Sequence, residues 1–397
     1  MPQPTSEIAV LLTGAFHAFG GIETFNRSLI HALDHIAASR NLRVRVFSLL
    51  DQTTAASATP YLTSGRLQFR GFRGSRTRFA LSACHAARSA DIVIIGHANL
   101  LPLLLMMNVP TRNAPLSTRS FKCLIAHGIE VWKPLPRLQT LGASRLDRIL
   151  CVSAFTQREM MRLNSLPADR FRVFPNTLDP VYARARHARL HRAALGLPAG
   201  PMLLSVSRLA PSERYKNVAA VIAALPQVLR QVPDAFYVIV GDGAERQPFL
   251  DLARRLGLAS KVFLPGAVPD ALLPSYYAAS DLFVLPSTKE GFGIVFLEAM
   301  EHAKPCIGAR AGGIPEVVRD GVTGLLLDPS DLPRALPHAL LRLLTDPVLR
   351  HDMGQRGREE LDRNFAFPHF RDRLQHTLYP TTAAEAPEPV CATPKLA

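Results

Sequence analysis

Long uninterrupted apolar segments are lacking in this sequence of 397 residues. The longest apolar stretch, Ile92 to Val109, is broken by a histidine, two asparagines and a proline, whereas a bilayer span needs about 20 mostly apolar residues. The first apolar run has no basic region before it and carries Glu7 at its start. This start predicts a first strand and argues against a signal peptide, so we expect a cytoplasmic protein.

Cysteine is also scarce. The five cysteines are Cys84, Cys123, Cys151, Cys306 and Cys391. Their number is odd, their spacing is wide and no C-x-x-C occurs, which argues against a disulfide framework or a zinc site. We expect buried thiols in a reducing compartment.

Acidic residues are nearly absent from one long segment. Between Gln52 and Glu130 the only acid is Asp91. The basic residues of this segment are Arg66, Arg70, Arg73, Arg76, Arg78, Arg88, Arg112, Arg119 and Lys122. This excess, in a chain of net charge +14, predicts an anionic partner: a nucleic acid, an acidic membrane surface or a phosphate-bearing substrate. A solvated basic face without a partner is the alternative.

The overall composition is that of a globular protein. With 48% hydrophobic and 20% charged residues, it excludes wholesale disorder, a collagen-like fibre and a coiled coil, and the length predicts two or three domains. The strands predicted in the first half are Glu7–Phe16, Arg43–Leu49, Asp91–Ile95, Lys122–Ala126 and Arg148–Ser153, followed by a last strand and turn over Phe171–Asp179. Because helical patterns separate most of these short runs, they predict a parallel sheet covered by helices.

The same pattern restarts after a breaker cluster at Leu197 to Pro201. The strands predicted there are Met202–Val206, Phe236–Val240, Val262–Leu264, Asp281–Leu285, Pro305–Ala309 and Gly324–Leu327. We therefore expect an α/β fold of two Rossmann-like doubly wound domains that face each other across a cleft. The expected parts are a first domain (1–180), a linker (181–200), a second domain (201–360), a C-terminal helix (361–379) that could cross back to the first domain, and a disordered tail (380–397).

The most informative loop follows the predicted strand that ends at Leu285, because ligands bind outside the carboxyl ends of such strands. It contains Glu290 and a glycine turn, and it leads into a helix that begins near Ile294 and carries Glu298. Glycines let backbone amides approach a ligand, and a helix N-terminus offers N–H groups to an anion. Acids on either side suit hydroxyl groups, so the segment predicts a sugar–diphosphate–ribose ligand. An ordinary capped helix with one exposed and one ion-paired acid is the alternative.

Two cations could complete this site. Arg208 follows the strand Met202–Val206, and Lys216 lies eight residues later. An arginine fork and a lysine charge can clamp a diphosphate, although this spacing alone is a weak pattern. The segment Gly312–Glu316 follows another strand end and could shape the floor of the site or form a plain tight turn.

Seven blocks of the second half occur together in a fixed order. They are S-R-L at Ser207, Y-K-N at Tyr215, V-G-D-G at Val240, F-L-P-G at Phe263, Y-Y-A-A-S-D-L-F-V-L-P-S at Tyr276, K-E-G-F-G-I-V-F-L-E-A-M at Lys289 and A-G-G-I-P-E-V-V at Ala311. Through these blocks the chain resembles the retaining glycosyltransferases of family 4, which have the two-domain GT-B fold. The resemblance is strong from about Ser205 to Pro329.

The first half resembles the family more weakly. Phe19–Glu23 (F-G-G-I-E) looks like the family's glycine loop after the first strand, and His127-Gly128 lies where the family has a histidine that faces the donor sugar. Pro175–Asp179 looks like the family's P-N-G-V-D turn with Thr-Leu in place of Gly-Val, which puts only the local turn geometry in doubt. The family's first domain binds the acceptor.

The resemblance implies a role for each candidate residue. Glu290 would hold the hydroxyls of the donor sugar and Glu298 the nucleotide ribose. Arg208 and Lys216 would bind the diphosphate and stabilise the leaving group. His127 would lie near the reacting carbon and donate to a sugar hydroxyl. The catalytic set is then His127, Arg208, Lys216 and Glu290.

Further donor contacts are implied through backbone atoms, and the base would stack near Phe263–Ala267. The complete implied donor site is Gly20, Gly21, Arg208, Lys216, Pro265, Gly266, Glu290, Gly291, Phe292, Gly293, Ile294 and Glu298. For His97 we favour a structural or acceptor role.

The resemblance also implies front-face transfer with retention, in which a diphosphate oxygen takes the acceptor proton. The chain has no Asp-x-Asp, the motif by which glycosyltransferases of the other major fold hold a metal, so we expect no metal and no cofactor besides the nucleotide-sugar substrate. The expected reaction moves a hexose from GDP-mannose or a UDP-hexose to a lipid-linked saccharide of a bacterial surface polysaccharide. The basic first domain would dock peripherally on the inner face of the membrane, where each Lys or Arg adds roughly 1 kcal/mol.

Other interpretations fit less of the sequence. A glucan synthase would carry long insertions and a lysine-rich donor loop, and a dehydrogenase would carry G-x-G-x-x-G after a strand; neither pattern is present. A nucleic-acid-binding protein would suit the positive charge, but no such signature occurs, so we expect no nucleic-acid partner. A catalytically inactive scaffold of the same fold is opposed by the intact acids and cations.

Overall fold

The computed structural model describes residues 6–18, 20–52, 56–107, 120–181 and 190–380. The protein divides into two compact units, Met1–Val181 with Ala366–Ala397, and Tyr182–Phe365. Some predictions fall outside the described ranges. These concern Phe19, Arg112, Arg119, the linker segment 182–189, and the tail from 381 onward with Cys391.

The first unit is built on a sheet of seven parallel strands. They are β1 (Glu7–Leu12), β2 (Arg43–Ser48), β3 (Leu67–Gly71), β4 (Ile92–Ile95), β5 (Phe121–Ala126), β6 (Arg148–Cys151) and β7 (Phe171–Val173). Their order is β3-β2-β1-β4-β5-β6-β7. The order reverses between β1 and β4, which is the switch point where open α/β sheets bind ligands.

Helices follow most of these strands. They are α1 (Gly21–Arg40), α2 (Arg76–Ala87), α3 (Leu103–Met106), α4 (Arg137–Ala143) and α5 (Ala154–Leu163). The long helix α1 ends at Asn41, which takes the left-handed conformation with φ 56°, a conformation that asparagine tolerates better than most residues. The interiors of β1, β4, β5 and β6 are buried, so these strands form the centre of the core.

The second unit contains six parallel strands. They are β8 (Met202–Val206), β9 (Phe236–Val240), β10 (Val262–Gly266), β11 (Leu282–Leu285), β12 (Cys306–Ala309) and β13 (Gly324–Leu327). The order is β10-β9-β8-β11-β12-β13, so β8 and β11 flank the switch point. The loops that leave these two strands therefore begin side by side at one edge of the sheet.

Six helices belong to this second sheet. They are α6 (Val218–Leu229), α7 (Arg246–Arg255), α8 (Leu273–Ala279), α9 (Ile294–Glu301), α10 (Leu332–Thr345) and α11 (Pro347–Glu360). Helix α9 is almost entirely buried. Its Phe296 packs edge-on against Phe283 of β11, with ring centroids 5.4 Å apart, which fixes the start of α9 beside the end of β11.

The last helix, α12 (Phe367–Leu378), belongs to the first unit. Its Phe370 lies 5.5 Å from the ring of Phe25 in α1 and 4.7 Å from the ring of Phe174. These aromatic contacts bury Phe370 completely and attach the helix to the same unit as β1.

Most predicted elements are present within a few residues of their predicted ends, but four elements lay outside the predictions. These are β3, α2, α4 and α11. Of the predicted strand and turn Phe171–Asp179, the strand covers Phe171–Val173. The predicted helix Leu100–Met107 shortens to Leu103–Met106 after a single 3₁₀ turn.

The sequence also made predictions about the cysteines and about membrane-spanning segments. The four cysteines within the described ranges are free, and three of them are buried. None of the described helices is both long enough and apolar enough to cross a membrane.

Candidate functional site

The switch point of the second unit brings together residues from two loops. Arg208 and Lys216 follow β8, and Glu290 follows β11, the adjacent strand. The three side chains interact electrostatically, as the pKa of Glu290 shows. Burial raises the pKa of the Glu290 carboxyl, and the charges of Lys216 and Arg208 oppose that shift. The sequence-predicted acid and cations thus form one charged cluster.

Glu290 is held from its backbone side by a glycine pair. The Gly313 N–H donates to the Glu290 carbonyl at 2.8 Å. Gly312 has φ +58°, and a Cβ at this position would lie 2.3 Å from the same carbonyl oxygen. The glycines predicted as a floor or a turn therefore allow a close backbone approach that sets the position of Glu290.

The glycine turn after Glu290 ends in the first turn of α9. Gly293 has φ 94° and precedes Ile294, the first residue of the helix, whose free N–H groups and partial positive charge suit an anion. Phe292 is buried against Phe365 with ring centroids 5.6 Å apart. The Phe292 side chain is therefore a packing group, and the turn itself is buried at Gly291 and Gly293.

An unpredicted carboxylate joins the two cations. One oxygen of Glu213 pairs with Nη2 of Arg208, and the other lies 2.9 Å from Nζ of Lys216. The Arg208 side chain is 64% exposed, whereas that of Glu213 is only 9% exposed. The exposed guanidinium is thus held by an acid that the protein almost encloses.

The loop after β8 is tied to the loop after β11. Thr288 N–H donates to the Tyr215 carbonyl at 2.8 Å, and the Asn217 side chain donates to the Pro286 carbonyl at 2.8 Å. Burial, with the charges of nearby acids, raises the pKa of Tyr215 to about 12, so its phenol is neutral. These bonds fix the cation-bearing loop against the loop that carries the acid.

Glu298 has a partner that the sequence did not single out. Tyr277 of α8 donates its hydroxyl hydrogen to Oε2 of Glu298 at 2.7 Å. The Tyr277 ring is buried and stacks on His302, with centroids 6.0 Å apart. The sequence shows the Y-Y-A-A-S-D block, but only the packing of α8 against α9 brings its second tyrosine, Tyr277, to Glu298.

Pro265 and Gly266 lie at the carboxyl end of β10, the outermost strand of the same sheet. Pro265 is exposed. Gly266 has φ +87°, and its carbonyl accepts a hydrogen bond from Gly241 at 2.9 Å. The predicted base-binding residues therefore share a sheet edge with Arg208 and Glu290.

In the first unit, Gly20 and Gly21 lie at the start of α1, in the loop after β1. A Cβ at Gly20 would come within 2.5 Å of Oε2 of Glu23. The preceding turn is organised by the buried Asp51, which accepts from the Ala15 and Phe16 N–H groups at 2.7 and 2.8 Å. The Asp51 carboxylate therefore fixes the backbone of the turn that precedes Gly20 and Gly21.

His127 lies at the end of β5, close to the switch point of the first sheet. Its Nε2–H donates to the Gly96 carbonyl at 2.8 Å, and burial lowers its pKa to about 4. The neutral ring therefore donates its single N–H to the Gly96 carbonyl, and Nδ1 is an acceptor. At Nδ1 the ring can accept a hydrogen bond, and the donation from His127 to a sugar hydroxyl that the resemblance implies stays a prediction.

His97 follows β4 and is buried beside His127, with ring centroids 6.2 Å apart. Its Nδ1 accepts from the Asn99 N–H at 3.0 Å, and burial lowers its pKa. The ring caps the turn after β4, which is a structural role.

Asp179 of the predicted P-N-T-L-D turn is part of a buried network. It accepts from Nε of Arg27 at 2.6 Å, from the Tyr61 hydroxyl at 2.8 Å and from the Val181 N–H at 2.9 Å. Because Asp179 is buried, these bonds secure the end of the first unit's sheet.

Metal-ligating side chains do not cluster anywhere in the part of the chain that the structure describes: no three His, Cys, Asp or Glu residues converge on a common point there.

Two family models match the chain in succession. Residues 19–182 match the model described as Glycosyltransferase Family 4, and residues 189–360 match Glycosyl transferases group 1. Together they span both units, and the second match contains the cluster of Arg208, Lys216 and Glu290.

Curated relatives include the GDP-mannose-dependent alpha-(1-6)-phosphatidylinositol monomannoside mannosyltransferase of Mycolicibacterium smegmatis. It is 34% identical over 255 residues, which is 58% of this chain and 63% of that protein. The protein of the same name from Mycobacterium tuberculosis (strain CDC 1551 / Oshkosh) is 32% identical over 292 residues, 68% of this chain and 71% of that protein. The chain therefore spans less than two thirds of the first relative.

Solved structures show a similar fold. Anabaena Alr3699/HepE in complex with UDP and glucose superimposes with a TM-score of 0.73 at 20% identity, covering 94% of this chain and 99% of that chain.

Proposed function

The chain belongs to the family 4 type of the group 1 glycosyl transferases, and from this membership we propose that it transfers a hexose from a nucleotide-diphosphate sugar to a saccharide acceptor. The observation that carries the proposal is the cluster at the second unit's switch point. Arg208, Lys216 and Glu290 lie there together, beside the N-terminus of α9. This is the chemistry that a diphosphate attached to a sugar requires: cations and N–H groups for the phosphates, and a carboxylate for the hydroxyls.

The proposed donor roles follow the charge of each group. Arg208 and Lys216 bind the diphosphate and stabilise the negative charge that develops on it as the sugar departs. Glu290 accepts hydrogen bonds from the sugar hydroxyls. Glu298, which Tyr277 already orients, accepts from the two ribose hydroxyls.

The nucleotide is proposed to be GDP or UDP. Two relatives of this chain are named as GDP-mannose-dependent mannosyltransferases, and the similar fold of Anabaena HepE was solved with UDP and glucose. GDP-mannose and a UDP-hexose are therefore the two donors to compare first.

We propose that the transfer retains the anomeric configuration. The bond from the anomeric carbon to the diphosphate oxygen breaks, and a bond from that carbon to the acceptor oxygen forms on the same face. The acceptor's hydroxyl proton passes to the departing diphosphate oxygen. His127, with its proton held by Gly96, accepts a hydrogen bond at Nδ1 and does not act as an acid.

Transfer is proposed to need no metal ion. Arg208 and Lys216 supply two fixed positive charges next to the proposed phosphate position, and such side chains can neutralise a departing diphosphate in place of a cation.

The proposed acceptor is a lipid-linked saccharide at an acidic membrane surface of the cytoplasmic side, where the protein would be peripheral. Four exposed arginines of the first unit, Arg70, Arg73, Arg76 and Arg78, make no ion pair with any residue in the described ranges. Beside them, β2, β3 and α2 line a groove of about 400 Å³, and Leu81 is 73% exposed. Unpaired cations around an apolar residue suit an anionic lipid surface.

Nucleotide binding tests the donor proposal. We expect the purified protein to melt at a higher temperature with millimolar GDP or UDP, with and without EDTA, because a ligand at 100 times its Kd adds about 2.7 kcal/mol. Arg208→Ala should abolish the shift, whereas Arg254→Ala, an exposed arginine on α7, should keep it. The absence of any shift in the parent protein would favour an inactive scaffold of the same fold.

Vesicle flotation tests the membrane proposal separately. The protein should float with phosphatidylglycerol vesicles and remain behind with phosphatidylcholine vesicles at moderate salt. The double variant Arg70→Glu with Arg76→Glu should lose flotation, and Arg254→Glu should keep it. Flotation of all variants alike would contradict the assignment of this surface.

A further inference from the structure

The carboxylate of Glu213 bridges the two cations to which the diphosphate is assigned. One of its oxygens pairs with Arg208 and the other with Lys216, which lies at 2.9 Å. A single acid therefore fixes both cations at once and sets them side by side.

The backbone explains why this acid faces inward. Glu213 lies in the 3₁₀ segment Pro211–Lys216, but its φ of −113° and ψ of 19° interrupt the helix there. The kink directs the side chain into the protein, where only 9% of it is exposed. Beyond the kink, Asn217 adopts φ 56° and is bound to Pro286, so the segment is anchored at its end.

The bridge leaves most hydrogen-bond donors of the two cations free for a ligand. An arginine has five N–H donors and a lysine three. Glu213 engages one nitrogen of each as the structure records them. The cations can therefore keep the acid and still donate to phosphate oxygens.

We propose that Glu213 is a positioning residue that presets Arg208 and Lys216 for the diphosphate of the donor. Arginine and lysine side chains lose considerable rotamer freedom when a ligand fixes them, and Arg208 is otherwise largely exposed. Because Glu213 has already ordered both, less of the binding free energy is spent on ordering them when the nucleotide arrives. This inference rests on the proposed function, since it needs a diphosphate at these cations.

The charge of Glu213 also has an effect that opposes nucleotide binding. Its negative charge raises the pKa of Glu290 and would repel a phosphate. If repulsion dominated, removing the charge would strengthen nucleotide binding. The sign of the change therefore separates a positioning acid from a competing one.

The chain provides a matched control pair. Arg214 and Glu245 form a second ion pair at 2.8 Å between the same loop and α7's N-terminal side, with the arginine 71% and the acid 8% exposed. The two acids thus share burial, partner type and neighbourhood. Arg214 does not belong to the charged cluster around Glu290.

The test measures the Kd of UDP and of GDP by calorimetry for the full-length protein and for Glu213→Gln and Glu245→Gln. We expect Glu213→Gln to raise the Kd of the nucleotide that the parent protein binds by about tenfold, or 1.4 kcal/mol, and Glu245→Gln to leave it within twofold. In the Lys216→Ala background, Glu213→Gln should raise the Kd by a smaller factor than in the parent protein, because one of the two residues that it positions is gone.

Each other outcome overturns the inference. An unchanged or lower Kd for Glu213→Gln, or an equal loss for Glu245→Gln, rules out a positioning role. Should Glu213→Gln fail to fold, Glu213→Asp replaces it, with the same expected direction because the shorter side chain cannot reach both nitrogens. If Arg208→Ala and Lys216→Ala bind nucleotide normally, or if the parent protein binds none, the proposed function fails and this inference falls with it. If they lose binding and Glu213→Gln does not, only this inference fails.

Discussion

The hydroxyl of Tyr277 and the carboxylate of Glu298 are joined by a hydrogen bond of 2.7 Å between two neighbouring helices. The tyrosine ring is buried and stacked on His302, so it has little freedom to turn away. An acid assigned to the nucleotide ribose is therefore oriented before any ligand is present, which is the arrangement that strong binding sites require.

The Tyr277–Glu298 bond can be removed without changing the packing of the ring. Tyr277→Phe should lower the free energy of unfolding by about 1–2 kcal/mol, since a hydrogen bond to a charged group is lost, and should raise the Kd of the bound nucleotide several-fold. Calorimetry and urea unfolding measure the two effects. Tyr276→Phe, the same substitution at the preceding position of α8, is the control. Equal nucleotide affinities in both variants would remove Tyr277 from the site.

The glycine that approaches Glu290 gives a second prediction. Gly312→Ala places a Cβ 2.3 Å from the Glu290 carbonyl oxygen at φ +58°, whereas Gly321→Ala meets nothing within 4 Å at φ +70°. Both variants carry the left-handed strain of about 1–2 kcal/mol. We expect overpacking to lower the free energy of unfolding of Gly312→Ala by about 1–3 kcal/mol more than that of Gly321→Ala. Gly312→Ala should also lose transfer activity, whereas Gly321→Ala should retain it. Thermal unfolding and product formation are the measurements, and equal behaviour of the pair would contradict the close approach.

The buried imidazole of His127 predicts acid sensitivity. Its pKa is about 4 in the folded protein and 6.5 ordinarily, so between these values the unfolded chain binds more protons. The contribution of His127 to the free energy of unfolding is therefore complete above about pH 6.5 and is lost as the pH falls towards 4. Urea unfolding at several pH values should show a shallower loss for His127→Gln, which keeps a neutral donor for Gly96. Parallel curves for the two proteins would show that His127 does not titrate in this way. His97 contributes in the same direction, so some sensitivity remains.

Substitution of Asp179, which is distant in sequence from the residues proposed to bind the donor, should cause a large loss of stability. Asp179→Asn removes the negative charge that pairs with the Arg27 guanidinium, which is 11% exposed, and breaking a buried pair costs about 3–5 kcal/mol. The denaturant midpoint should fall strongly. Asp169→Asn, at an exposed position, should leave it unchanged. A small effect at Asp179 would mean that Tyr61 and Val181 hold the turn without the charge.

Most strands of the second sheet were predictable because they are short apolar runs buried on both faces. Gly324–Leu327 was predicted with its observed ends. By contrast, β3 lies at the edge of the first sheet, where Gln68 and Arg70 are exposed, so Leu67–Gly71 has no continuous apolar run. Hydrophobic patterns identify strands by burial, and β3 is only partly buried.

Two of the three missed helices, α2 and α11, have a similar cause. Helix α2 begins with Arg76 and Arg78 on its exposed surface, and α11 contains two glycines and few apolar residues. Neither has the broad apolar stripe by which a helix is recognised in a sequence. Both are held by packing against neighbours that the local sequence does not reveal.

The site was predictable where a motif carries its chemistry in a continuous segment, as around Glu290. Glu213 and Tyr277 were not, because their roles depend on a kink and on the packing of two helices. The hydrogen-bond role of His127 depends on the Gly96 carbonyl of a neighbouring strand end. Which nitrogen carries the proton is decided by that neighbour, and the neighbour is 31 positions away in the sequence.

The bond between Thr288 N–H and the Tyr215 carbonyl holds the loop after β8 at a fixed distance from the loop after β11. Because it joins main-chain atoms, substitution of either side chain leaves it in place, and only a proline at 288 would remove the donor. The spacing between the cation-bearing loop and the loop that carries Glu290 is thus set by the backbone, and it does not depend on which side chains stand at 215 and 288.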